Sequence, residues 1–272
     1  MTWQAVARKD FADAIRSRSL WVVAGLFVVV TTGSSLLVTL VSAQSGSAAE
    51  SVVGLTRLLK LLAGVLVPLT AVLVGYRAIV GERETGSIKL LLSLPHERRA
   101  VVLGKLVGRS LVVAVAVVAG FGLSTALAFV FAPSTLPVFL GVTVITLLFA
   151  VAFVAIAVGL SAASGSARRA ATGAFGAFVV SNILWQRIPG IYSAVTGSGG
   201  ATPAWIYFLQ RLSPSGAYNG AYTLFAGTNS LEAAIGGPVP PYLSWWAAVA
   251  ILVGWVVLPT WLGYRRFAAA DL

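Results

Sequence analysis

The chain has 272 residues, 58% of them hydrophobic and 10% charged, with 19 Lys+Arg against 8 Asp+Glu, one His and no Cys. A soluble domain carries about 25% charged residues, so a soluble enzyme and a disordered chain are both excluded. The missing Cys rules out disulfides, thiolate catalysis and Cys-ligated metals, and the net charge of +11 has to be read against topology before it is read as nucleic-acid binding.

The first element is a short amphipathic helix. Trp3, Val6, Ala7, Phe11, Ala14 and Ile15 fall on one stripe, with Arg8, Lys9, Asp13 and Arg16 elsewhere and Asp10 spoiling the pattern. It is expected to lie at the cytoplasmic interface near anionic headgroups, or to extend the first span. About 20 apolar residues cross a bilayer core. On that measure spans are expected at 20–41, 61–80 (interrupted by Pro68), 111–132, 138–163, 170–188 and 245–264. The fifth is the weakest, because it holds Asn182, Gln186 and Arg187. Val41-Ser-Ala43 resembles a signal cleavage site, but the 20–41 run exceeds a secretory h-region of ~7–15 residues, so it reads as a retained span. No repeat or linker appears, and residues 1–272 read as one membrane domain.

Basic residues set the orientation. Arg8, Lys9, Arg16, Arg18, the seven from Arg77 to Arg109, Arg168, Arg169, Arg265 and Arg266 share one side, and only Arg57, Lys60, Arg187 and Arg211 fall on the other. With an even number of spans, both termini are expected in the cytoplasm of a multi-pass cell-membrane protein. The charge is an orientation signal spread over four short segments, which argues against nucleic acid as a partner.

Three segments outside the spans carry most of the information, the N-terminal helix and two others. Between spans two and three, a charged entry and Gly86 precede Ile88, Leu91 and Leu92 at i, i+3, i+4 spacing, and Pro95 ends that short helix. Leu90, Leu91, Leu92 and Leu94 leave apolar surface that membrane, bundle or a partner must cover. A plain basic connector is the alternative. Between spans five and six, 203–212 and 217–225 are aromatic-rich and separated by Ser213-Pro-Ser-Gly216. They are expected to form short helices at the outer leaflet, capping the bundle or gating it.

Several kinds of chemistry lack their residues. Gly104-Lys105 has neither the upstream glycine nor the Ser/Thr of a phosphate-binding loop. Gly122-Leu-Ser-Thr-Ala126 lies inside span three, and His96, the lone histidine, sits in a cytoplasmic loop, so no triad can assemble. One His, one Met and no Cys supply no soft metal site, so no metal or cofactor is expected on this chain. All eight acids lie outside the predicted spans, which favours an external energy source over ion-coupled transport. Asn182 and Gln186 are four apart on span five beside Ser181, a polar patch suited to a path, a dimer seam or ordinary interhelical hydrogen bonds. Gly104-x-x-x-Gly108 fits a close helix contact or is incidental.

Glu82-Arg-Glu-Thr-Gly-Ser-Ile-Lys-Leu-Leu-Leu-Ser-Leu-Pro95, followed by Arg98-Arg99 and Gly104-Lys105, resembles the loop between spans two and three of ABC-2 type permeases. Size and loop style are closest to the NosY-like branch associated with copper-enzyme maturation. The resemblance covers the whole chain by layout and residues 76–109 by motif. It implies an all-α membrane protein of six spans, with the N-terminal interfacial helix, a cytoplasmic coupling helix and short extracellular helices before span six. It implies a cytoplasmic ATP-binding subunit that carries ATP and Mg, a second permease copy or paralogue, and export. Glu82, Glu84, Gly86, Ile88, Leu91, Leu92 and Pro95 would then form or orient the contact with that subunit, with Arg98 and Arg99 at its rim. A scaffold or mechanotransmitter that moves no solute is the alternative, and a membrane enzyme comes third.

Overall fold

A chain in hydrocarbon must satisfy every backbone N–H and C=O internally, and the computed structural model of this protein is helical throughout, without a strand among the described residues. It describes residues 3–16, 18–45, 48–86, 98–131, 136–197 and 202–270. Helix α1 (Trp3–Ile15) leads into α2 (Arg18–Ser45) and α3 (Ala48–Gly75). A tight turn then gives the one-turn helix α4 (Val80–Glu84). Beyond the loop follow α5 (Arg98–Phe131), α6 (Leu136–Ala163) and α7 (Ala167–Val179). Helix α7 runs through a π turn (Val180–Leu184) and a 3-10 turn (Trp185–Arg187) into α8 (Ile188–Thr196). Four short helices follow: α9 (Ala204–Arg211), α10 (Pro214–Ala221), α11 (Thr223–Ala226) and α12 (Asn229–Ile235). A 3-10 turn (Pro241–Leu243) then leads into α13 (Trp245–Ala268).

Four stretches among the described residues are long and apolar enough to cross a membrane: Gly54–Glu84, Arg98–Leu127, Leu136–Ala163 and Trp245–Ala268. Ala24–Leu37 in α2 is a shorter apolar helix. The elements differ from the expected spans in instructive ways. Helix α3 starts before residue 61 and includes Arg57 and Lys60, since Lys and Arg are good helix formers and do not end one. Helix α5 begins at Arg98 rather than after Arg109; its 34 residues reach about 50 Å, well beyond a ~30 Å core. The fifth predicted span is not one regular helix, and Pro189 does not end it. Pro189 sits in the first turn of α8, where a missing N–H costs nothing.

Helix α6 is the most enclosed of the four long stretches. Without a hydrophobic force between helices in lipid, close approach depends on small residues, and glycines mark the crossings. A Cβ on Gly263 of α13 would lie 2.6 Å from the Gly159 Cα of α6, and one on Gly75 would lie 2.6 Å from Ala157 Cβ. A Cβ on Gly120 of α5 would lie 2.6 Å from Thr31 Oγ1 of α2, next to the Phe27–Phe121 ring pair at 6.2 Å. Helix hydroxyls bond back one turn: Ser124 to the Gly120 carbonyl, Thr125 to Phe121, Thr143 to Phe139 and Thr146 to Val142, each at 2.7–2.8 Å. Outward rows such as Val22, Leu26 and Val29 on α2 and Val253, Val257 and Leu258 on α13 are exposed, as lipid-facing side chains are.

The aromatic segment before α13 is not a surface feature throughout. Ser213 caps α10, its hydroxyl accepting from the Gly216 N–H at 3.0 Å, and Pro214 takes the first turn. Nearly all of α10 is buried. Tyr218 stacks on Phe149 of α6 at 4.3 Å and meets Thr146 Oγ1 at 3.1 Å, while the Tyr222 hydroxyl donates to the Thr56 carbonyl at 2.6 Å. Aromatic composition predicts an interface position, but the Tyr218 and Tyr222 hydroxyls find partners inside the bundle, which permits their burial.

Candidate functional site

The segment joining α4 to α5 is anchored at both ends by residues that the sequence marks as a motif. Ile88, Leu91, Leu92 and Pro95 lie outside the described residues; Glu82, Glu84, Gly86, Arg98 and Arg99 lie within them. At the entry, the chain leaves α3 and turns, burying Ile79 and Val80 completely. Their N–H groups are orphans of a helix start. Ser161 of α6 satisfies both, its hydroxyl accepting from Ile79 N at 3.0 Å and Val80 N at 3.1 Å. A side chain from another helix thus acts as the cap.

The three charged residues that follow are each tied to a different element. Glu82 Oε1 accepts from Lys105 Nζ of α5 at 2.7 Å. The Arg83 guanidinium donates to the Ser164 carbonyl at 3.2 Å, between α6 and α7. Glu84 Oε1 accepts the Ala167 N–H at 2.7 Å, placing a carboxylate at the positive end of α7, with Arg77 3.9 Å from its other oxygen. Gly86 then has φ +73°, a left-handed conformation that a side chain disfavours. At the exit, Arg98 donates to the carbonyls of Phe267 (3.1 Å), Ala268 (2.7 Å) and Ala270 (3.0 Å). It caps the C-terminal end of α13, where a cation is favoured. Expected at a rim, it is spent instead on the last helix. Arg99 beside it is exposed.

Lys105 is the centre of the arrangement. Only 3% of its side chain is exposed, and besides Glu82 it donates to Asp10 Oδ1 of α1 at 3.1 Å. Arg109, one turn on, grips the same carboxylate, with Nη2 2.9 Å from Oδ1 and Nε 2.8 Å from Oδ2. Two carboxylates and two cations therefore balance in one cluster that joins α1, α4 and α5, buried at Lys105 and Asp10 and part-exposed at Glu82 and Arg109. Asp10, which spoiled the amphipathic stripe, is at the middle of the buried face with Val6, Ala7 and Ala14. Trp3 and Ile15, counted on that stripe, are exposed.

Glycines make this contact possible. A Cβ on Gly104 would lie 2.5 Å from Val6 Cβ and 2.8 Å from the Trp3 carbonyl; one on Gly108 would lie 2.9 Å from Asp10 Oδ2. The Gly104-x-x-x-Gly108 pair is thus the seat of α1, which docks on the protruding end of α5.

The polar patch at Ser181, Asn182 and Gln186 finds its partners within the same chain. Ser181 Oγ and Ser215 Oγ share a hydrogen bond at 2.9 Å, and Gln186 Nε2 donates to the Ser181 carbonyl and to Ser213 Oγ, both at 3.3 Å. Asn182 Nδ2 bonds back to the Phe178 carbonyl at 3.3 Å. The π turn displaces the one-face spacing of Asn182 and Gln186: Gln186 reaches the Ser213 cap of α10, while Asn182 bonds within its own stretch. No group of three or more His, Cys, Asp or Glu side chains suited to a metal occurs among the described residues.

Long apolar helices and close glycine crossings, with a buried charge cluster beside α4, define a membrane-embedded helical protein. Residues 4–272 match the family model described as ABC-2 family transporter protein. The chain is also 32% identical over 270 residues to the "Probable ABC transporter permease protein NosY" of Pseudomonas aeruginosa, covering 95% of this chain and 92% of that protein. The Stutzerimonas stutzeri protein with the same description is 42% identical over 117 residues, which are 43% of this chain and 42% of that one. The chain belongs to the ABC-2 family of ABC transporter permeases. Membership implies that ATP is hydrolysed on a separate subunit.

Proposed function

We propose that this chain is the membrane half of an ATP-driven exporter, made of six spans with both termini in the cytoplasm. In this reading α2 and the broken α7–α8 stretch add two crossings to the four long apolar helices. A second copy or paralogue completes the translocation unit, with Ser181, Asn182 and Gln186 near its path or seam. The partner subunit carries ATP and Mg. Residues Ile88, Leu91, Leu92 and Pro95 seat the loop in that subunit, while Glu82, Glu84, Gly86 and Arg98 orient it.

The observation that carries this reading is the double contact of Lys105 with Asp10 and Glu82. A push on the loop reaches α1 and α5 through that cation, α7 through Glu84, and α13 through Arg98. Packed helices respond by switching between discrete arrangements rather than by bending gradually, so one docked segment can move several elements together. Replacing Leu91 and Leu92 by Asp is expected to release the ATP-binding subunit while the permease still inserts. Co-purification at the wild-type level would refute the docking assignment.

A further inference from the structure

At the end of the bundle away from α1, a cavity of about 280 Å³ opens between the start of α3 and helices α9 to α12. Two cations line it, Lys60 of α3 and Arg211 of α9, together with the amides of Gln210 and Asn219 and the hydroxyls of Thr223 and Ser230. Among the described residues no carboxylate lines it. Glu232, the one acid between residues 189 and 243, is exposed and accepts from Thr228 Oγ1 at 2.8 Å.

Both cations are held in place. Lys60 Nζ sits 4.8 Å from the centre of the Tyr222 ring, whose hydroxyl is tied to the Thr56 carbonyl. Arg211 is buried, and one guanidinium nitrogen donates to the Leu243 and Ser244 carbonyls just ahead of α13. Gly220 leaves the room for it, since a Cβ there would lie 2.8 Å from Arg211 Nε. Burial pushes the Arg211 guanidinium down to about 10. Withdrawing charge from water without a counter-charge is costly, and carbonyl dipoles offset only part of it.

We propose that this cavity is an anion site, taking a phosphate-type oxyanion whose charge Lys60 and Arg211 balance while the amides and hydroxyls donate to its oxygens. Phosphorus oxyanions reach such a site either as soluble ions or as lipid headgroups, and the same recognition serves both.

The test uses the full-length chain in phosphatidylcholine nanodiscs, with equilibrium dialysis of radiolabelled inorganic phosphate at constant ionic strength. In parallel, nanodiscs containing phosphatidylglycerol are examined by native mass spectrometry for retained lipid. One saturable site is expected in at least one arm. Lys60→Gln is expected to weaken it at least tenfold, and Lys60→Arg to restore it to within about threefold. Ser230→Trp, an exposed position that fills the cavity without touching either cation, is expected to block it in a folded protein. Retained phosphatidylglycerol that displaces phosphate identifies the headgroup as the source; phosphate binding indifferent to that lipid identifies the soluble ion. Absence of saturable binding in both arms overturns the proposal, as does binding that survives both Lys60→Gln and Ser230→Trp.

Discussion

Replacing Asp10 by Asn removes a carboxylate that faces both Lys105 and Arg109. At the 3.1 Å separation of Asp10 and Lys105, with an effective dielectric of ~20, the attraction lost is about 5 kcal/mol. Lys105 is 3% exposed and cannot rehydrate without α1 lifting away, and breaking one partner of such a buried pair typically costs ~3–5 kcal/mol. Glu82 remains 2.7 Å from Lys105 and recovers part of that, so a loss near the lower end, ~3 kcal/mol, is expected. Lys105→Met is expected to cost a similar amount, because Asp10 keeps Arg109 but Glu82 loses its link to α5. The double variant should lose less than the two singles together, since the fully buried pair goes as a unit and the groups that lose a partner, Glu82 and Arg109, are part-exposed. Thermal unfolding in detergent, with proteolysis of α1 as the local readout, measures all four corners of the cycle. Strict additivity, or an Asp10→Asn protein as stable as wild type, would show that the cluster does not hold α1 and would remove the mechanical link from loop to helix.

Other consequences follow from single contacts. Ser161→Ala strands the buried N–H groups of Ile79 and Val80 and should cost ~1–3 kcal/mol, read by the same melts; Ser161→Thr, which keeps the hydroxyl, should recover part of it. Arg98→Gln frees the carbonyls at the end of α13, so subunit binding should persist while stimulation of the partner's ATPase by the permease falls; loss of binding instead would make Arg98 a docking residue. Gly159→Leu drives a side chain into the α6–α13 crossing and should abolish stable insertion, checked by size-exclusion profile, with the exposed-site control Gly254→Leu unaffected. Asn182→Ala with Gln186→Ala leaves the Ser181–Ser215 bond intact and should alter transport more than stability; unchanged transport and coupled ATPase would remove these residues from the path.

The legible parts were those encoded by short-range pattern. Apolar length marks the long helices because each needs only ~20 consecutive residues to span hydrocarbon. Hydroxyls at Ser124, Thr125, Thr143 and Thr146 bond back as their spacing implies, because the acceptor is one turn away. The motif from Glu82 onward marked the loop and the family, while the left-handed turn at Gly86 shows only in the fold. Even Asp10 carried a signal, since an acid on an apolar stripe requires a cation from elsewhere.

What the sequence determined alone was therefore a helical membrane protein of the ABC-2 family, marked by its motif from Glu82 onward. Tertiary structure decided which partners meet: Asp10 with Lys105 across 95 positions, Ser161 with the turn at Ile79, Gly159 with Gly263, and Arg98 with the end of α13. It also decided that α10 is core rather than surface and that the Glu82–Arg83–Glu84 charges bind inward. The physical reason is range. Helical periodicity is written within a few residues, whereas a buried charge is neutralised and a glycine seam filled by whatever helix packs there, and that choice depends on the whole bundle.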